Sequence, residues 1–167
     1  MKSNHYTHSL YYKLLIGYLI FGLLGFITIA TISSEMTYHH LVERESEVLY
    51  DEATMIADRC SKAYEGKTIN LDSAYPQIEA VSTYLQSDIW ILNHEGTIVA
   101  DSSDSRTGIT IDDFDPTAQG NRLYSIGQYY NLFDSKVLSV SAPITGNMKT
   151  YGYIVIHMPV QNIEAEQ

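Results

Sequence analysis

The chain is poor in cysteine, proline and basic residues, and each shortage narrows what it can be. Its single cysteine, Cys60, cannot close an intrachain disulfide, so the fold must rest on its apolar core. An exported domain without disulfides is more typical of bacteria than of small secreted animal domains. Cys60 reads first as a small buried or half-buried helix residue; an intermolecular disulfide at a dimer axis is the other reading. Ten Lys and Arg stand against 20 Asp and Glu, a formal charge of −10, and the few basic residues are scattered. A phosphate backbone calls for clustered Lys and Arg, so no nucleic-acid partner is expected. There is no Gly-rich nucleotide-binding box and no GxSxG elbow, so the chain is not expected to be an enzyme or to carry a cofactor.

Charge is also absent from one long stretch. Leu14 to Ile32 reads LLIGYLIFGLLGFITIATI, with no charged residue and no proline. At 1.5 Å per residue it spans roughly the 30 Å hydrocarbon core of a bilayer. Tyr11, Tyr12 and Tyr18 lie toward its N-terminal end, where amphipathic rings favour the interface. Lys2 and Lys13 precede the run, and the first acidic residue, Glu35, follows it. The positive-inside rule then puts residues 1–13 in the cytoplasm, a transmembrane helix at 14–34 and everything from residue 35 outside the cell. A cleavable signal peptide is the competing reading. Its apolar part is usually about 7–15 residues and ends in small residues, whereas this run is longer and Ala30-Thr31-Ile32-Ser33 makes a poor cleavage site. Gly22 and Gly25 are not spaced as GxxxG, so they indicate no helix-dimer motif.

Residues 35–65 hold good helix formers and neither Pro nor Gly, which predicts a helix about 45 Å long with Gly66 as its stop. Val42, Leu49, Ile56 and Ala63 recur every seven residues, with Leu41, Val48 and Met55 beside them and Ala53 and Cys60 widening the stripe. That stripe is broad enough to pack on a sheet and also meet a partner helix. Thr68 to Ala74 reads as a loop, and Pro76 suits the first turn of a short helix whose face is Ile78, Val81 and Leu85. From Asp88 the period changes. Ile89–Leu92 and Thr97–Ala100 form a hairpin around His94-Glu95-Gly96, residues 101–121 form a polar loop, and strands follow near 123–130, 137–144 and 151–157. A Gly146-Asn147 turn joins the last two, Pro159 ends the sheet, and the chain beyond can begin a helix. Consecutive strands on short turns predict an α+β domain with one antiparallel sheet and helices on one face.

This layout resembles the extracytoplasmic PAS-like or Cache-type sensor domain of bacterial two-component sensor histidine kinases. The resemblance is carried by the N-terminal anchor, the long membrane-proximal helix, Asp88-Ile89-Trp90-Ile91-Leu92-Asn93 with Gly96, and Ile98-Val99-Ala100-Asp101-Ser102. It is strongest in Val137-Leu138-Ser139-Val140-Ser141-Ala142-Pro143-Ile144 followed by Tyr151-Gly152-Tyr153-Ile154-Val155-Ile156-His157, and it covers most of residues 14–160. It implies a PAS-like five-stranded sheet over 35–160, a parallel homodimer through the long helix, and an exit helix beginning at 161–167 toward a second membrane span. It further implies that this chain is the sensing input of a longer kinase whose catalytic domains follow. A membrane-anchored protein-interaction domain, or the input of a chemoreceptor or cyclic-nucleotide enzyme, are the alternatives.

In such domains the concave sheet face holds the ligand. Strand alternation puts Tyr153 and His157 on one face and Ser139 and Ser141 on one face, and Tyr129, Tyr130 and Asp101 could join them around a small molecule, cation or peptide. A face that is merely solvated or covered by the 101–121 loop is the plainer alternative. Asp101, Asp104, Asp112, Asp113 and Asp115 could attract a cation, yet their spacing matches no calcium loop and Asp is a favoured turn residue. His39-His40 with Glu43 could contribute metal ligands or sense pH, but paired His on an exposed helix is more simply solvated, and no metal is expected. Trp90 reads as a core or edge anchor of the first strand.

Overall fold

The computed structural model describes residues 5–62, 64–65, 68–69, 71–117 and 123–165, with side chains from Leu10 to Lys62, Tyr75 to Thr117 and Leu123 to Ala165. Helix α1, His5–Lys62, contains the whole apolar run. The chain divides into two units, Met1–His40 and Leu41–Gln167. In the first, Leu14, Leu19, Phe21, Leu24, Phe26 and Ile29 are all exposed, so this stretch has no protein core to explain its apolarity. It is long and apolar enough to cross a membrane. The hydroxyls of Thr28 and Thr31 donate to the carbonyls of Leu24 and Ile27, both at 2.8 Å, the internal pairing that a helix needs if it is to cross a membrane.

In the second unit the heptad stripe is spent on the domain's own core. Val42, Ser46, Leu49, Ala53, Ile56 and Cys60 are all buried, an a/d pattern over nearly three heptads. Three of the four positions expected to meet a partner helix, Val42, Leu49 and Ile56, are thus occupied within the chain; Ala63 and the expected stop Gly66 lie outside the described residues. The neighbouring stripe remains available, with Val48 43% and Met55 48% exposed.

Two short strands, β1 (Tyr64–Glu65) and β2 (Thr68–Ile69), form a separate antiparallel pair. Helix α2 runs Leu71–Leu85, so it starts before Pro76, where the sequence suggested a loop. Pro76 therefore sits inside the helix, where its ring forgoes one backbone hydrogen bond. The main sheet comprises β3 (Asp88–Asn93), β4 (Ile98–Asp101), β5 (Tyr124–Gly127), β6 (Val137–Gly146) and β7 (Lys149–Pro159), all antiparallel in the order β4-β3-β7-β6-β5. The expected strand at 123–130 ends at Gly127, because Tyr129, Tyr130 and Asn131 take φ of 36°, 52° and 58°, which no strand tolerates. Helix α3, Val160–Glu164, follows the last strand and buries Val160 and Ile163.

Pairing fixes which side chains share a face. Ile89, Ile91, Ala100, Leu138, Val140, Ala142, Ile154 and Ile156 are buried on the face toward the helices, where Ser61 of α1 donates to the Thr145 carbonyl. Trp90, Leu92, Ile98 and Val155 form the opposite core with Ile111 of the following loop.

The β6–β7 hairpin turns on Asn147-Met148 rather than Gly146-Asn147. Gly146 pairs with Lys149, and both central residues have positive φ, 51° and 59°. That is the type I′ geometry, which favours Gly at its second position. Met148 is fully exposed and gives up no packing if replaced. Met148→Gly is expected to stabilise the domain by about 1 kcal/mol in urea denaturation, by relieving a left-handed methionine.

Candidate functional site

On the loop-covered face the register aligns Asp88 with His157, His157 with Ser139, Trp90 with Val155 and Trp90 with Asp101. His157 is buried, and its Nδ1 lies 2.8 Å from the Ser139 hydroxyl. Its imidazole is enclosed by aromatic rings: Trp90 at 4.2 Å between centroids, Tyr129 at 4.4 Å and Phe133 at 4.9 Å. Phe133 also stacks on Trp90 at 5.2 Å with the planes 8° apart. The left-handed turn at 129–131 is what folds Tyr129 and Phe133 back over the sheet.

Arg106 supplies the only cation at this cluster among the described residues. Its guanidinium carbon lies 4.7 Å from the Phe133 ring centre and 5.5 Å from that of Trp90, and one nitrogen is 3.7 Å from the Asp88 carboxylate. Burial drives the His157 pKa well below its usual value, and the nearby Arg106 charge pushes it the same way, so the ring is neutral. Burial raises the Asp88 carboxyl above its usual range, as does the charge of Asp101, while Arg106 opposes both. Burial also raises the Tyr129 phenol. Two buried polar atoms here have no hydrogen-bond partner among the described residues, His157 Nε2 and Trp90 Nε1; the Ser87 and Ser141 hydroxyls nearby share that state.

The seven residues singled out from the sequence end up in three situations. Tyr129, Ser139 and His157 meet in the aromatic cluster. Tyr153 and Tyr130 flank Phe114 at 5.6 and 6.3 Å, with the Tyr130 hydroxyl against the Asp115 backbone and Ser141 on the same sheet face as Val155. Asp101 is fully buried, but its carboxylate accepts hydrogen bonds from the backbone N–H groups of Ser103, Ser105 and Arg106 and from the hydroxyls of Ser103 and Ser105, at 2.9–3.2 Å. It organises the loop that carries Arg106 instead of facing a ligand. No group of three or more His, Cys, Asp or Glu that could hold a metal occurs among the described residues.

Sequence reasoning passed over Arg106, Asp88 and Phe133. Arg106 did leave a signal: it is the one Lys or Arg between Lys67 and Arg122, within a loop whose site candidates were its carboxylates. Asp88 and Phe133 left none: Asp88 meets His157 through the long-range pairing of β3 with β7, and Phe133 is brought over the sheet by the left-handed turn at 129–131.

No protein-family model and no curated protein sequence matches the chain. Solved structures do. The extracellular domain of rpHK1S-Z16, described as a histidine kinase, is 16% identical with a TM-score of 0.54, over 84% of this chain and 62% of that one. The extracellular domain of mmHK1S-Z2, described likewise, gives 11% and 0.52 over 79% and 61%. The ligand-binding domain of the Campylobacter jejuni chemoreceptor Tlp3, in complex with 4-methylisoleucine, gives 11% and 0.50 over 77% and 62%. The chain therefore spans about three fifths of each of these domains. The chain shares its fold with these extracellular domains of histidine kinases and a chemoreceptor, the kind of protein whose fold the resemblance in the sequence implied.

Proposed function

We propose that this chain is the extracytoplasmic signal-sensing input module of a membrane-anchored receptor, with a sensor histidine kinase as the parent protein. The observation that carries this reading is the coexistence of a sensor-domain fold with an exposed, charge-free helical run that suits a bilayer. In this reading the N-terminus is cytoplasmic, residues 35–167 are outside the bacterial cell membrane, and the kinase domains lie beyond this segment. Likeness to Tlp3 supports a second output, a chemoreceptor, with the same input chemistry. The signal is a small molecule that engages the face around His157. Binding must favour one of two arrangements of α1 in a parallel homodimer, or nothing is transmitted.

A single-cysteine scan in intact cells tests this. Native Cys60 stays silent, because burial pushes its thiol up to about 11. Met148→Cys, at the exposed hairpin tip, is expected to react with a membrane-impermeant maleimide without lysis. Val48→Cys and Met55→Cys are expected to crosslink between copies, while Leu49→Cys, whose position is buried, is not. Labelling at position 148 only after lysis would overturn the topology; crosslinking at 49 rather than 48 and 55 would overturn the dimer face.

A further inference from the structure

A cleft of about 320 Å³ opens at the ends of β3, β6 and β7, beside the aromatic cluster. That is near the lower end of small-molecule sites, about 300–1,000 Å³. Two of its wall residues are buried polar side chains with an unmet atom: His157, 1% exposed, through Nε2, and Ser87, 5% exposed, through its hydroxyl. Native interiors pair the large majority of such atoms, and each one left alone costs free energy, so two around one cleft mark a place where something donates or accepts.

The charge of the lining says what that something is. Asp88 is the one acid in the wall, and no Lys or Arg lines it. Arg106 stands outside the lining, held over the rings of Phe133 and Trp90, and its contact with Asp88, at 3.7 Å, is too long for a hydrogen bond. Asp101, the other nearby acid, is saturated by its own loop. The Asp88 carboxylate only accepts hydrogen bonds, the Ser87 hydroxyl can do either, and the neutral imidazole offers one further atom. Phe133, Val137 and Pro159 complete an apolar side.

We propose that this cleft binds a small organic ammonium ion, its nitrogen against Asp88 and Ser87, its hydrocarbon against Phe133, with His157 Nε2 closing the polar end. This rests on the sensing reading and sharpens it. The wall itself has one carboxylate and no cation, and the cation beside it, Arg106, is already ion-paired with Asp88 and held over Phe133 and Trp90, so the cleft accommodates an amine and offers no unengaged counter-charge to the carboxylate of a free amino acid. The half-buried Asp88 agrees: burial first and the charge of Asp101 second raise its carboxyl against the opposing pull of Arg106, and a cation bound in the cleft would add to that pull and favour the charged form.

The test uses the full chain in detergent and three probes of equal chain length: n-butylammonium chloride, n-butanol and sodium butyrate, at matched ionic strength. Butylammonium at saturation is expected to raise the unfolding midpoint by about 5 °C, and the alcohol and the carboxylate to leave it unchanged. By calorimetric titration, Asp88→Asn is expected to weaken butylammonium binding about tenfold or more, and Ser87→Ala by a smaller factor. If Asp88→Asn does not fold, the comparison of the three probes on the unaltered chain still decides. No response to butylammonium, an equal response to butanol, or undiminished binding by Asp88→Asn would each overturn the proposal. Because binding is read directly on this chain, such a failure alongside successful labelling at position 148 would remove the ammonium site and leave the receptor reading standing.

Discussion

Gly152→Ala is expected to cost about 4 kcal/mol or more and to lower the unfolding midpoint by more than about 10 °C. Gly152 sits in β7 opposite Asn93 on one side and Ile144 on the other. A Cβ built there falls 2.1 Å from the Leu92 carbonyl oxygen and 3.2 Å from its carbonyl carbon. Both are backbone atoms of a central strand, so no rotamer change relieves the overlap. The only relief is to part β3 from β7, the pair that carries Trp90 and His157 to each other. Ordinary overpacking costs about 1–3 kcal/mol because side chains can yield, and here they cannot. Gly127→Ala is the control. Its Cβ would meet nothing within 4 Å, and its expected effect is within about 0.5 kcal/mol. Thermal unfolding of the two variants side by side, followed by circular dichroism, settles the matter. Equal midpoints would mean that β3 and β7 are not in this register.

That register marks the boundary of what the sequence made legible. Strands β3, β4, β6 and β7 announced themselves through β-branched runs and local turns, and the β6–β7 hairpin brings Ser139 to His157 across 18 residues of chain. Alternation alone therefore put half of the site on one face. The other half depends on β3 inserting beside β7, more than sixty residues later, and no local pattern specifies which strands become neighbours. Trp90 read as a core or edge anchor of its strand, and it is a core anchor; what stayed hidden is that this pairing also makes it the floor of the aromatic cluster. The loops were harder still. Asp101 looked like a ligand because an acid at a strand end is conspicuous, yet its charge is consumed by three backbone N–H groups two to five residues ahead. Phe133 and Tyr129 reach the sheet only because 129–131 turns left-handed, which the β-prone residues of that segment argue against. The α1 stripe showed the opposite difficulty. Its heptad period was plain, but period cannot tell a partner helix from the chain's own sheet, and Val42, Leu49 and Ile56 are buried within the domain.

The buried imidazole makes stability depend on pH in a direction that can be worked out. In the unfolded chain His157 takes up a proton near pH 6.5. In the folded domain it does so only well below that, first because burial strips water from the imidazolium and second because Arg106 repels it. The unfolded state therefore holds more protons throughout this window. Stability is full above about pH 6.5 and falls as pH drops toward the folded-state pKa, by at most about 1.4 kcal/mol per pH unit. The groups facing the ring are Asp88, Ser139, Tyr129 and Arg106, and of these Asp88 also titrates in the acid range. Its raised carboxyl works the other way: the folded state holds its proton more tightly, so as pH approaches 4 Asp88 offsets part of the loss. Urea unfolding at pH 7, 6 and 5, followed through Trp90, the chain's one tryptophan, is expected to show a falling midpoint. The double variant Ser139→Ala, His157→Phe replaces both hydrogen-bonding partners with apolar groups inside an aromatic cluster, a change that can be close to neutral in stability. It is expected to fold and to lose most of the slope between pH 7 and 5. A slope that survives in this variant would assign the acid sensitivity to other groups. A slope that disappears would show that the imidazole at the polar end of the proposed ammonium cleft is also the group whose protonation destabilises the domain, so that acid and ligand would act on the same contacts between β3, β6 and β7.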